Sequence, residues 1–202
     1  MISVLRDALL LLRELAYGIV RNNSSLIAGR LRRWVMGTPC RIDTAVVISH
    51  PRNFHGAPRS ALRHGCHIIN RYGSVTLGTR SHLGAFCHVN AMRGEVRLGD
   101  DVAIGPGTAI ISYSNQYEAG ADIADSTVTD DVAIADHVFV GANVTILPGA
   151  VIEPHVVVGA GAVVKGRLES YGVYVGAPCR RVRELPRADK PGGGPEDEKS
   201  DA

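Results

Sequence analysis

The chain has 202 residues, of which 45% are hydrophobic and 21% charged, and its formal net charge is +2. This length and hydrophobic content support one sizeable core, so we expect one main domain with extensions. The near-neutral charge and the aromatic content of 5% argue against a nucleic-acid-binding protein, because neither a basic footprint nor a stacking platform is present.

Residues 1–37 are predicted to form a helical segment. The apolar run at residues 9–12 is flanked by charge and is far too short to span a bilayer. Arginines at positions 21, 30, 32 and 33 make the segment basic. A helical cap packed on the domain or on a neighbouring subunit is favoured. Peripheral contact of a basic amphipathic helix with an anionic membrane remains the alternative.

Residues 38–74 are interpreted as an irregular lead-in, because the repeat described below is ragged there. The sequence leaves open whether this segment forms additional coils or a separate cap. At the other end, residues 188–202 combine Pro, Gly and charge with no large apolar residue, which predicts a disordered tail.

An aliphatic residue recurs every six positions through residues 75–187. These positions are Leu77, Leu83, Val89, Leu98, Ile104, Ile110, Val128, Ile134, Val140, Ile146, Ile152, Val158 and Val164. A helix of period 3.6 cannot keep such residues on one face. Short strands separated by tight bends can keep these residues pointing inward. Three such strands close one coil of a solenoid, and stacked coils bury an aliphatic core. The period therefore predicts an all-β solenoid, a parallel β-helix of hexapeptide repeats.

Two interruptions of the period predict departures from the coil. The spacing is three residues too long near residues 91–96, which indicates a bulge at a corner. Polar residues occupy the expected core positions within 116–127, so that segment is predicted to leave the solenoid as a loop, and long excursions commonly carry function. If the chain re-enters the solenoid on the next side of the coil after this loop, Ile110, Val140 and Val158 are expected to stack on one side, and Gly141 is expected to lie above Gly159.

Four stretches resemble the hexapeptide-repeat acetyltransferases that act on sugars, such as maltose and galactoside acetyltransferases. They read LGDDVAIGPGTAIISYS (98–114), VFVGANVTILPGAVI (138–152), VVGAGAVVKG (157–166) and VGAPCRRVRE (175–184). The resemblance covers residues 75–185. It implies a left-handed coil, a homotrimer, and an acetyl-CoA cleft between adjacent β-helices.

The resemblance also implies which residues bind the acyl donor. Close backbone approach to the pantetheine arm favours Gly or Ala in the turns, and basic side chains suit the nucleotide phosphates. The candidate residues are Gly141, Ala142, Gly159, Ala160, Gly161, Lys165, Arg180 and Arg181.

The chain departs from the family at the expected general base. The family places a histidine after the stretch that here reads IGPGTAIISYS, whereas this chain has Asn115. Asparagine cannot exchange a proton near neutral pH, so it could only position a hydroxyl or an oxyanion. The remaining catalytic candidates are Glu118, His88, His137 and His155, of which the last two are predicted to form an outward ladder one coil apart.

These patterns predict an acetyl-CoA-dependent acetyltransferase that modifies a hydroxyl or amino group of a sugar or polysaccharide precursor. The alternative is a catalytically impaired homologue that binds acyl-CoA or acts as a scaffold, because of Asn115. No metal site is expected, since the histidines lack zinc-ligand spacing. The four scattered cysteines form no C-x-x-C pair, which favours a reducing cytoplasm.

Overall fold

The computed structural model describes residues 37–115 and 126–187, together with Leu12, Trp34 and Asp122. The predicted helical segment 1–37 and tail 188–202 lie outside the described residues, apart from the few just named. Most of the predicted loop 116–127 lies outside them as well. Within the described residues, no helix is long and apolar enough to cross a membrane.

The described chain is a parallel β-solenoid with three flat faces, which confirms the architecture predicted from the six-residue period. Face A contains β1 (Arg41–Ile42), β4 (Ala61–Leu62), β7 (His82–Leu83), β10 (Ala103–Ile104), β15 (Phe139–Val140), β18 (Val157–Val158), β21 (Gly172–Val175) and β22 (Arg180–Glu184). All neighbouring strands of face A run parallel except β21 and β22, which pair antiparallel.

Faces B and C complete each coil. Face B contains β2 (Val47–Ile48), β5 (His67–Ile69), β8 (His88–Asn90), β11 (Ala109–Ile111), β16 (Thr145–Ile146) and β19 (Val163–Val164). Face C contains β3 (Phe54–Gly56), β6 (Ser74–Leu77), β9 (Glu95–Leu98), β14 (Val132–Ile134), β17 (Val151–Ile152) and β20 (Arg167–Leu168). A single 3-10 turn, Pro51–Asn53, interrupts the strands of the described part. We call the turns between faces the A–B, B–C and C–A corners.

The core is a set of aliphatic columns, because each two-residue strand directs its second residue inward. Ile104, Val140 and Val158 stack on face A in register, and each is at most 1% exposed. Ile110 stacks instead on Ile146 of face B. The expectation that Ile110 would stack on Val140 was wrong, because the excursion leaves at the B–C corner and the chain returns on face C.

Residues 38–74 are not an irregular lead-in, because they form the first coils of the solenoid. Arg41 pairs with Ala61 on face A, and Phe54 pairs with Val75 on face C. The sequence obscured these coils because their B–C corners hold extra residues. The extra residues disturb the six-residue spacing without disturbing the strands.

The excursion is a hairpin that projects from the B–C corner. Strand β12 (Tyr113–Asn115) pairs antiparallel with β13 (Thr127–Thr129), and the solenoid resumes at β14. Val128 pairs with Ser114 in this hairpin and is partly exposed, so its assignment to the core was wrong. A six-residue period cannot distinguish a core valine from one in a hairpin that happens to keep the spacing.

Candidate functional site

Glycines stack on one another at the A–B corner. A Cβ at Gly105 would lie 2.5 Å from the backbone carbon of Gly141, and one at Gly141 would lie 2.6 Å from the backbone nitrogen of Ala160. The predicted position of Gly141 above Gly159 is found, since Val140 pairs with Val158. Glycine at these positions is therefore required by the packing of successive coils, whatever ligand binds.

The backbone amides of Ala142 and Ala160 at this corner are free to bind a ligand. Within the described chain, no group accepts a hydrogen bond from the amide of Ala142 or Ala160. Both residues are partly or fully exposed and lie one coil apart. In the preceding coil Pro106 occupies the equivalent turn and has no N–H. Gly161 follows with φ +70°, and a Cβ there would meet nothing within 4 Å.

The three basic candidates do not lie together. Cys179 lies against the backbone of Lys165, and Arg180 follows Cys179 directly, so both basic residues lie at the C-terminal end of the solenoid. Lys165 follows β19 at the B–C corner, whereas Arg180 pairs with Val175 at the A–B end of face A. The Arg181 guanidinium instead donates to the carbonyls of Ser170 and Tyr171 at the C–A corner, 3.4 and 3.2 Å away. Arg181 is therefore turned away from the free amides.

The base of the hairpin lies at the B–C corner, at the other end of face B. The Asn90 side-chain amide donates to the carbonyl oxygen of Tyr113 at 3.2 Å, and the Ser112 hydroxyl donates to the carbonyl oxygen of Asn90. Asn115 is exposed at the end of β12. Sequence reasoning missed Asn90, and the only available signal was its position two residues after His88 on an outward-facing strand.

His88 lies on the surface that joins these two corners. It projects outward from β8 and is half-buried, with Ala109 of β11 beside it. Its ring packs edge-on against His67 at a centroid distance of 5.4 Å. Burial first, and the neighbouring His67 second, lower the pKa of His88. At neutral pH His88 is therefore an uncharged imidazole, the form that accepts a proton.

The other histidine candidates lie at the C–A corner. His137 and His155 stack with ring centroids 4.9 Å apart and an angle of 7°, so the predicted ladder is found. Tyr171 continues the column at 4.7 Å from His155, and Asp101 lies 3.5 Å from His137. The column belongs to neither the A–B nor the B–C corner. Glu118 lies outside the described residues.

No three His, Cys, Asp or Glu side chains of the described residues converge as a metal site would require. The remaining candidate site is a surface on face B, bounded by the free amides of Ala142 and Ala160 at one edge and by the hairpin at the other. It offers hydrogen-bond donors, a neutral imidazole and an amide side chain.

Comparison with known proteins gives a consistent result. The family model described as bacterial transferase hexapeptide (six repeats) matches residues 124–166. The galactoside O-acetyltransferase of Escherichia coli is 37% identical over 59 residues, which is 29% of each chain. The chain thus spans between a quarter and a third of the curated relatives it matches.

Solved structures share the fold over a larger part of the chain. A maltose O-acetyltransferase from Clostridium difficile 630 has a TM-score of 0.61 at 21% identity, covering 90% of both chains. AntD, an N-acyltransferase from Bacillus cereus in complex with dTDP and 3-hydroxybutyryl-CoA, has a TM-score of 0.66 at 23% identity, covering 73% of this chain and 81% of its own. The matches confirm the resemblance to hexapeptide-repeat transferases that the sequence indicates.

Proposed function

We propose that this protein is an acetyl-CoA-dependent acetyltransferase that modifies a hydroxyl or amino group of a sugar or polysaccharide precursor. The observation that carries the proposal is the pair of free amides of Ala142 and Ala160, one coil apart on the A–B corner. Amides on successive coils suit the successive carbonyl groups of a pantetheine arm. Lys165 and Arg180, at the C-terminal end of the solenoid, supply positive charge for the nucleotide phosphates.

In this mechanism His88 is the general base. Its neutral imidazole accepts the proton of the acceptor hydroxyl or amine as that atom attacks the thioester carbonyl carbon. The tetrahedral intermediate collapses with cleavage of the carbon–sulfur bond, and the imidazolium returns the proton to the CoA thiolate. Asn115 and Asn90 are proposed to orient the acceptor by hydrogen bonds, because a carboxamide can both donate and accept.

Known relatives support a sugar acceptor. One matched curated relative is a galactoside O-acetyltransferase, and AntD was solved with dTDP and an acyl-CoA. Both acyl transfer to oxygen and acyl transfer to nitrogen therefore occur among proteins similar to this chain. An Asn in place of a basic histidine is compatible with either reaction when His88 accepts the proton.

The proposal includes a left-handed coil and a homotrimer, as the family resemblance implies. A single chain presents the free amides and the hairpin at opposite edges of face B, so pairing the donor edge of one subunit with the hairpin edge of the next would enclose the reactants. We further propose a reducing, cytoplasmic location, which the four free and buried cysteines support. Contact of residues 1–37 with a membrane surface is proposed only as a means of approaching a lipid-linked acceptor.

The test is acetyl-CoA turnover by the purified protein, measured as free thiol, across sugars, amino sugars and their nucleotide forms. Acceptor-dependent thiol release establishes the transferase. Binding of acetyl-CoA without thiol release across the panel would instead favour a scaffold that binds acyl-CoA. The observation that favours this alternative is Asn115 at the position where the family has a histidine. Asn115→His separates the two: turnover gained only in that variant identifies an impaired enzyme.

A further inference from the structure

Three exposed arginines line the B–C corner on the N-terminal side of the hairpin. Arg52, Arg71 and Arg93 lie at the tips of the enlarged corners of three successive coils. Stacked coils are spaced by about 4.8 Å, so the three attachment points form a short vertical row. We call Arg52, Arg71 and Arg93 the arginine row.

Hydrogen bonds fix the backbone of the corners that carry the row. Asn70 is fully buried, and its amide bonds the backbone nitrogen and oxygen of His50 at 3.0 and 2.9 Å. The Asn53 side chain donates to the carbonyl oxygens of Asn70 and Arg71. Tyr72 donates its backbone N–H to the Met92 carbonyl in the next coil. Each corner is thus tied to the one in the next coil, so the points from which the three side chains project are already spaced for a multivalent ligand.

The positive charge of the row is uncompensated. Within the described residues, no carboxylate lies within 4.0 Å of any of the three guanidinium groups, whereas the nearby Glu95 and Asp131 both face Arg97 on face C. Most of the other described arginines have an acidic partner. Three unpaired charges on consecutive coils are a feature that a solenoid does not need for its stability.

Aromatic rings accompany the row. The Arg71 guanidinium lies 5.2 Å from the centroid of Tyr72, which is 65% exposed. The Arg93 guanidinium lies 5.6 Å from the centroid of Tyr113, two residues before Asn115. Arginine binds phosphate oxygens through paired N–H donors while its flat face stacks on an aromatic ring. The row therefore leads directly to the base of the hairpin.

We propose that the arginine row binds the diphosphate of the acceptor, so that the acceptor is a sugar diphosphate ester rather than a free sugar. This inference rests on the proposed acetyltransferase function, and it specifies which class of acceptor the hairpin edge receives. Arg93 at the hairpin end binds the phosphate nearest the sugar, and Arg71 and Arg52 bind the remainder. The sugar then extends toward Asn90 and Asn115. The ester is carried by a nucleoside or by a lipid.

The test measures binding of UDP, farnesyl diphosphate, inorganic pyrophosphate and acetyl-CoA by calorimetry at low salt. The wild type is compared with Arg71→Gln/Arg93→Gln, and with Arg59→Gln as control, because Arg59 is an exposed arginine at the C–A corner without an acidic partner. We expect the double variant to weaken diphosphate binding at least about tenfold, since hydrogen bonds to charged groups carry that magnitude. The control should change it less than about twofold, and acetyl-CoA binding should be unchanged in both variants.

The outcomes separate the inference from the proposed function. Acetyl-CoA binding by a wild type that binds neither UDP nor farnesyl diphosphate would overturn the inference and leave the transferase standing. Equal loss in the double variant and in Arg59→Gln would also overturn it, because the effect would then be nonspecific charge. Loss confined to the double variant supports the inference even if acetyl-CoA does not bind. Tighter binding of UDP identifies a nucleotide carrier, and tighter binding of farnesyl diphosphate identifies a lipid carrier.

Discussion

Replacing His88 with glutamine tests the proposed chemistry most directly. The side chain is half-buried on face B, between the free amides and the hairpin, and its pKa lies below the ordinary value of 6.5. Glutamine keeps the size and hydrogen bonding of the ring but accepts no proton. A general base contributes on the order of 10²–10⁴ in rate, or about 3–5 kcal/mol of transition-state free energy. We expect kcat to fall by that factor while acetyl-CoA affinity is retained.

The assay is thiol release at pH 7.5 with the best acceptor of the panel. His137→Gln is the matched control, because His137 is 52% exposed in the column at the C–A corner and should leave the rate unchanged. His67→Gln provides an independent readout. Removing this neighbour should raise the pKa of His88, so the acidic limb of the pH–rate profile should move to higher pH. A rate within threefold of wild type for His88→Gln would refute His88 as the base.

Three further variants test the donor corner and the C–A column. Gly141→Ala should destabilise the solenoid more than Gly161→Ala in urea unfolding, because its new Cβ meets backbone atoms, at a cost of about 3 kcal/mol or more, whereas Gly161→Ala should cost only about 1–2 kcal/mol for its left-handed backbone. Equal losses would contradict the stacking argument. Arg180→Ala should weaken acetyl-CoA binding by about tenfold in calorimetry and Arg181→Ala by less than twofold, and the reverse order would reassign the phosphate contact. The hydrogen bond from Arg80 lowers the pKa of Asp101 in the folded protein. The contribution of Asp101 to folding stability is therefore complete above its ordinary pKa of 3.8 and is lost as the pH falls through the lower pKa of the folded state. Asp101→Asn should therefore make acid unfolding less steep, as followed by circular dichroism.

The repeated aliphatic positions were sufficient to predict the solenoid from the sequence. A residue such as Val140 stacks on Val158 because the six-residue spacing matches one short strand and one bend per face, and an α-helix of period 3.6 cannot keep that spacing. The early coils do not follow a six-residue period of constant length. Their inward residues, such as Ile42 and Ile48, keep the spacing only until the enlarged B–C corner intervenes.

The arrangement of the candidate site depended on geometry that the sequence does not contain. His88 and His137 are equally plausible bases when only their identity is considered. Which corner each occupies depends on where the hairpin leaves, and the period alone does not specify this. Likewise Arg180 and Arg181 are adjacent in sequence, yet in an extended strand adjacent side chains point to opposite sides. Only the structure separates them.

The last strand has a consequence for assembly. Strand β22 covers the outer edge of β21 in the opposite direction, and all five of its residues are exposed, four of them Arg or Glu. A stack of parallel coils would otherwise end in an open edge ready to accept the first coil of another molecule. The antiparallel, charged strand β22 covers this edge and prevents end-to-end association into fibres. Removing residues 180–184 should therefore turn a discrete particle into a filament former, which light scattering would detect.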